Sequence, residues 1–240
     1  KRQHLERLQR GLQVLNIVLP EQSLREALKP VACHCSDVPW AALRLTVTRG
    51  ASQRGYTPPA TDATLPRIIT QVSPVLRDCA HLRDAATLAA PRLKLSSQPL
   101  LAGIKHLNRL EQVLAAQEVR ALACDEGLML DQDDQVVSVV AGNLFLVHGS
   151  KIYTPPLGSS GVSGTRRKLL MERWAPQSGL EVYEKPMALS DVLASDEVFY
   201  TNALFGLRPV AQFDNRRWPS HAVTELLFDC YVRDIEGNVS

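Results

Sequence analysis

The chain has 240 residues, 45% of them hydrophobic and 22% charged, which is ordinary globular usage and too apolar for general disorder. Lysine and arginine number 27 against 25 acidic residues, a net charge of +2, so the balance gives no footing for a nucleic-acid or polybasic membrane partner. No apolar run approaches the ~18 residues of a membrane-spanning helix and no signal-peptide pattern is present, while the length fits one large domain or two small ones.

Leu5, Leu8, Leu12 and Leu15 recur at helical spacing, so the chain opens on a helix with one apolar face. That helix is already under way at Lys1 with no cap or turn before it, which predicts a fragment lacking its true N-terminus. Leu19-Pro20 ends it, and residues 21–32 suggest a second helix. Cysteines stand at 33, 35, 79, 124 and 230. Their odd number and scattered spacing are no disulfide framework, and the thiols fit a reducing cytoplasm. Cys33-His34-Cys35 lacks the spacing and the second pair of a zinc site, so no metal is expected.

Residues 42–48 alternate as a strand should. Residues 49–59 form a loop marked by Gly and Pro, and residues 67–72 the next strand. The polar connection over 75–84 predicts a boundary between a small domain, residues 1–83, and a larger one, residues 84–240. Residues 87–95 read as a strand and 96–103 as a loop. A helix is predicted over 108–122, with Leu110, Val113, Leu114 and Gln117 at i, i+3, i+4 and i+7. Short strands follow at 127–131, 136–140, 144–148 and 151–154, then a helix over 164–174. A strand at 181–185, a short helix at 189–193, a strand at 197–201 and a helix over 220–231 complete the chain. Strands following one another at hairpin spacing predict an α+β fold with mostly antiparallel or mixed sheets, not a doubly wound parallel sheet. GxGxxG, GxxxxGK[ST] and GxSxG are all absent, which argues against a nucleotide phosphate loop and a serine-hydrolase elbow.

Three segments can carry chemistry. Lys105 stands at a loop-to-helix junction between Ile104 and Leu107, where desolvation would lower its pKa and free the amine as a nucleophile. Residues 154–167, TPPLGSSGVSGTRR, lead small residues into a helix, which lets backbone N–H groups approach an anion. Residues 48–59, TRGASQRGYTPP, put two arginines in a glycine-bearing loop, suited to gripping a carboxylate by the guanidinium fork. Taken singly, each reads more readily as a solvated lysine, an ordinary capped loop and a surface loop.

In this order the segments resemble the class IV pyridoxal-phosphate enzymes, the group of branched-chain aminotransferases, D-amino-acid transaminases and aminodeoxychorismate lyases. Residues 102–114, AGIKHLNRLEQVL, and Arg49-Gly-x-x-x-Arg54-Gly-Tyr56 look like the lyase branch in particular. Residues 125–131, 141–145 and 202–204 keep the family order. The resemblance implies the fold type IV architecture of D-amino-acid aminotransferase: two α/β domains with pyridoxal 5'-phosphate between them, acting as a homodimer. The small domain would here be incomplete at its N-terminus. It implies Lys105 as the Schiff-base lysine and Arg7 as the arginine on the cofactor phosphate. It implies Val162, Gly164, Thr165 and Arg166 as the backbone phosphate cradle, with Asn202 and Ala203 as its second edge. Arg54 and Tyr56 would belong to the substrate-carboxylate loop.

One position departs from the pattern. The family has a glutamate five residues before the asparagine of Asn-Leu-Phe, beside the cofactor's pyridine nitrogen, and here that position is Ser138. A serine hydroxyl supplies no negative charge, so the electron sink is expected to be weaker. The activity implied is elimination of pyruvate from 4-amino-4-deoxychorismate to give 4-aminobenzoate, a step of folate biosynthesis. A class IV aminotransferase and a catalytically impaired paralogue remain as alternatives.

Overall fold

The computed structural model describes residues 2–34, 41–52, 55–59, 65–75 and 80–236. The Cys33-His34-Cys35 side chains lie outside the described set. The chain forms two compact units, one of Lys1–Arg7 with Ala80–Ser240 and one of Leu8–Cys79.

The smaller unit takes most of helix α1 (Arg2–Val14), then α2 (Glu21–His34) and the strands β1 (Ala41–Thr48) and β2 (Arg67–Pro74). The strands pair antiparallel from Ala41↔Pro74 to Thr48↔Arg67, and α2 packs on β2. Arg49, one residue past β1, donates to the carbonyls of Leu15 and Asn16, the latter at 3.0 Å. Those are carbonyls that the end of α1 leaves without helical partners, so Arg49 serves as a clasp on that helix end.

The larger unit holds the main sheet. Its strands are β3 (Ala86–Ala89), β4 (Lys94–Leu95), β5 (Glu126–Asp131), β6 (Val136–Val139), β7 (Asn143–His148), β8 (Lys151–Thr154), β9 (Glu181–Glu184), β10 (Glu197–Asn202), β11 (Gly206–Phe213) and β12 (Arg216–Arg217). They run in the order β4-β5-β3-β11-β10-β7-β8-β9, with β6 on β5 and β12 on β11. Pairs β3–β5, β4–β5, β3–β11 and β8–β9 are parallel and the others antiparallel, so the sheet is mixed, in line with the α+β reading.

Both faces of this sheet are covered, and the strand sequences say why. Along β7, Leu144 and Leu146 enter one buried cluster, while Phe145 and Val147 enter another. Along β10, Val198 and Tyr200 join the first and Phe199 the second. Period-two alternation with both faces apolar is the pattern of a doubly covered strand. Phe145 and Phe199 are directly opposite in register and stack with ring centroids 5.1 Å apart. The second cluster is roofed by a helix that starts as α4 (Thr165–Leu169), passes through a π-helical turn (Leu170–Trp174) and ends as α5 (Ala175–Gln177). It is also roofed by α7 (Ala222–Glu236). The first is closed by Val192 of α6 (Leu189–Ala194), Met187 and Trp218.

Five elements differ from their sequence-based expectation. The strand expected over 87–95 is two strands, β3 and β4, separated around Pro91, which supplies no N–H for a ladder. The helix expected to end at Trp174 continues through its π turn to Gln177. β11 and β12 were not anticipated at all. In α3 (Leu110–Ala121) the buried residues are Ala115 and Val119, whereas Leu110, Val113 and Leu114, the expected inner face, are exposed. Among the described residues no helix is long and apolar enough to cross a membrane.

Candidate active site

Lys105 is held by its backbone. Gly103 N–H donates to Gly161 O at 3.1 Å, and Ser163 N–H donates to Gly103 O at 2.9 Å. A further bond, Gln98 N–H to Ser159 O at 2.7 Å, extends this pairing along the loop. Gly103 sits at φ 79°, where a side chain would be strained. Ile104 is 1% exposed and anchors the segment in the core, leaving Lys105 on the open side. Arg109 wraps the same turn, donating from Nη2 to Ile104 O at 3.1 Å and from Nε to His106 O at 3.3 Å. Residue 105 is thus fixed beside the turn over 161–166 by three backbone and two guanidinium bonds close by, rather than carried on a loose loop.

That turn is itself tightly determined. Asn143, at the start of β7, donates from Nδ2 to Val162 O at 2.9 Å. A Cβ at residue 164 would collide with Asn143 Oδ1, so only glycine lets the turn lie this close to β7. Gly164 is the N-cap of α4 and gives no side-chain cap, and the start of a helix, where N–H groups lack intrahelical acceptors, is a place that suits an anion. The start of α1 closes the turn from another side. Arg7 donates from Nη1 to Ser163 O at 3.2 Å, His4 Nε2 lies 3.3 Å from Thr165 Oγ1, and Lys168 Nζ pairs with Glu6 at 3.4 Å. The Arg166 guanidinium stands 5.0 Å over the ring of Tyr231. Arg167, by contrast, is buried and committed to Glu184 and to Pro155 O.

The charge at this place is one-sided. The imidazole of His4 is lowered from its usual 6.5 to about 4, by desolvation first and then by Arg7, Arg166 and Lys105 among the cations around it. Burial also pushes the Arg7 guanidinium down, and Arg109 adds to the shift. Cations gathered round a helix start suit an anion with several oxygens. Thr201 Oγ1 is buried with no hydrogen-bond partner among the described residues. It is paired in register with Asn143, and both occupy the sheet face of Phe145 and Phe199 that α4 covers.

The remaining candidates fall into two groups. Ser138 is buried in β6, opposite Met129 of β5. Asn202 is engaged in a local turn: its Oδ1 accepts from Leu204 N–H at 2.8 Å and Phe205 N–H at 3.2 Å, and its Nδ2 donates to Ala141 O at 3.3 Å. Ala203 follows it, exposed. In the smaller unit Tyr56 is fully exposed, and Arg54 lies outside the described residues. Three participants were not singled out in the sequence. His4 is one helical turn before Arg7, so its spacing on α1 would have found it. Arg109 and Asn143 were visible only as parts of motifs, since their roles are contacts with backbone carbonyls.

A pyridoxal 5'-phosphate group fits part of this donor set well. Arg7, Arg166, the backbone N–H groups of the first turn of α4 and a cleared Gly164 match its phosphate, and the Lys105 amine matches its carbonyl. Ser138 is the poor match, offering a hydroxyl and no charge to a pyridine nitrogen.

Comparison with known proteins shows what the chain is similar to. Aminodeoxychorismate lyase of Vibrio harveyi is 32% identical over 208 residues, covering 87% of this chain and 75% of the relative. A putative branched-chain-amino-acid aminotransferase of Methanocaldococcus jannaschii is 30% identical over 218 residues, covering 90% and 74%. The crystal structure of 4-amino-4-deoxychorismate lyase from Pseudomonas aeruginosa superposes with a TM-score of 0.87 at 39% identity, covering 97% of this chain and 84% of that one. The family model for amino-transferase class IV matches residues 1–213, and the chain belongs to that family.

Proposed function

We propose that this chain is a pyridoxal 5'-phosphate-dependent lyase that converts 4-amino-4-deoxychorismate to 4-aminobenzoate and pyruvate. The observation that carries the reading is Lys105 pinned through Gly103 to the same turn that Arg7, His4 and the start of α4 surround. Similarity to relatives named for this activity supports the choice of substrate.

Bound pyridoxal 5'-phosphate supplies a carbonyl that condenses with amines and a conjugated ring that takes up electrons. Arg7, Arg166, Thr165 and the backbone at Val162 and Gly164 hold its phosphate, with Asn202 and Ala203 forming the neighbouring edge. Lys105 serves first as base, removing the proton from the ring carbon that bears nitrogen. The carbon–oxygen bond to the enolpyruvyl group then breaks. Lys105 returns the proton to the methylene carbon of the departing group, which leaves as pyruvate while the ring becomes aromatic. The balance needs neither water nor an oxidant, so one amine acting in both directions suffices. Arg54 and Tyr56 would address the substrate carboxylates. Ser138 would orient the pyridine nitrogen by a hydrogen bond and leave it without a counter-charge.

The chain works as a homodimer in this reading. Leu107, Leu110 and Leu114 are 60%, 71% and 50% exposed beside the Lys105 turn, and a second copy would cover them.

The test follows pyruvate and 4-aminobenzoate together in the full-length protein. Equal release of the two, abolished in Lys105→Ala, is the expected result. The branched-chain relative keeps aminotransfer as the competing activity. Amino transfer to a 2-oxo acid without pyruvate release would replace the lyase reading by that one. Borohydride treatment of the loaded protein should leave the pyridoxyl group on Lys105, and its recovery on Lys94, Lys151 or Lys168 would remove Lys105 from the mechanism.

A further inference from the structure

His4 has no part in the reaction just described, yet it stands at the phosphate end of the site. Its Nε2 is 3.3 Å from Thr165 Oγ1, while Arg7, one helical turn later, donates to Ser163 O at 3.2 Å. The first turns of α1 therefore address two positions of one turn from a single helix face. With Arg7, Arg166 and Lys105 nearby and its pKa lowered to about 4, the ring is neutral at neutral pH even though part of it remains exposed. A neutral imidazole carries one N–H and one acceptor nitrogen. With the hydrogen on Nε2, it donates to Thr165 Oγ1. The hydroxyl's own proton is then turned away from the ring and is left to be given to another acceptor.

We propose that His4 is a positioning residue for the cofactor phosphate, its Nε2–H orienting the Thr165 hydroxyl so that Thr165 donates to the anion. The proposal rests on the phosphate reading of the preceding section. His4 acts through Thr165 and not as a charge, because a fourth cation beside Arg7, Arg166 and Lys105 would be repelled by them. A mere tie between α1 and α4 would treat all ligands alike, and an oriented donor would not.

The experiment measures equilibrium binding of pyridoxal 5'-phosphate, of pyridoxal and of inorganic phosphate to the full-length apoprotein. His4→Leu should weaken pyridoxal 5'-phosphate and inorganic phosphate about tenfold, the loss of one hydrogen bond to an anion, and leave pyridoxal within about twofold. His4→Gln places an amide N–H where Nε2 stood and should stay within about threefold of the parent. Thr165→Val should lose as much as His4→Leu, and the double variant no more than either alone, because both remove the same donated proton. Equal weakening of all three ligands, additive losses, or a Gln variant as poor as Leu would overturn the role of His4. A parent that binds pyridoxal as tightly as its phosphate ester would instead overturn the phosphate site itself, which the His4 variants cannot do.

Discussion

Ser138 stands where the class IV resemblance implies a glutamate. It is 8% exposed, on β6, so whatever stands there meets little water and acts at close range. A carboxylate at this position would favour a protonated pyridine nitrogen, since opposite charges stabilise each other. In the proposed site a hydroxyl there would leave that nitrogen mostly neutral at pH 7. Elimination drains the carbanion at once into an aromatic product, whereas transamination needs a carbanion that survives to be reprotonated elsewhere. Lyase activity is therefore expected to be slow, transamination negligible, and kcat for the lyase to rise about tenfold in Ser138→Glu. Steady-state rates for both reactions in the two proteins decide it: a parent as fast as the variant means that the electron sink does not limit the rate. Two arginines on α1 give a second comparison at this scale. Arg7 reaches the turn at Ser163, and Arg10 is exposed. Arg7→Ala should raise the dissociation constant for pyridoxal 5'-phosphate at least about tenfold and Arg10→Ala by less than about twofold. Equal effects would move the phosphate away from Arg7.

At the scale of elements, the helix that roofs the Phe145 face depends on a carboxylate from the sheet. Glu197, at the start of β10, is buried and accepts from Val223 N–H at 2.9 Å, Thr224 N–H at 3.1 Å and Thr224 Oγ1 at 3.1 Å. These are first-turn groups of α7, which would otherwise be buried unpaired. Negative charge at a helix start also suits the dipole. Glu197→Ala should cost about 2–3 kcal/mol, or about 5–10 °C of melting temperature for a chain of this size. Because α7 carries Tyr231 beneath Arg166, cofactor affinity should fall with it. Thermal melts that match the parent within about a degree would deny Glu197 this role. Elements were legible in the sequence where one periodicity ruled them. β7 and β10 alternate cleanly, and α1 shows its leucine stripe. β11 was hidden because Arg208 and Pro209 interrupt an otherwise apolar run. The structure accommodates both: pairing with β3 begins only at Val210, one residue past the proline. Arg208 is bound to Asp125, Tyr200 and the Asp84 carbonyl.

For the whole molecule, the instructive misreading is α3. Periodicity identified an apolar face at Leu110, Val113 and Leu114, and a single-chain reading assigns any such face to the chain's own core. The structure buries Ala115 and Val119 instead, against the sheet around Leu95 and Met129. Sequence pattern reports that a face avoids water, not which surface covers it, and the motif around Lys105 could be read without knowing this. In the proposed homodimer a second copy of the chain would cover this face. In a two-fold interface every side chain counts twice, and burying a leucine is worth about 1.5–3 kcal/mol. Leu110→Lys with Leu114→Lys should therefore raise the dimer dissociation constant at least about 100-fold, while leaving the fold intact because neither residue is buried in the single chain. Sedimentation velocity across a concentration series reads the oligomer, and circular dichroism reads the fold. Since Leu107 and Leu110 lie two and five positions beyond Lys105, the monomer should also retain pyridoxal 5'-phosphate less well. That loss should reverse at concentrations where the variant reassociates. A variant that sediments as its parent does at every concentration would show that this face is not the interface. A parent that is monomeric throughout would remove the homodimer altogether and leave the leucines as an uncovered patch.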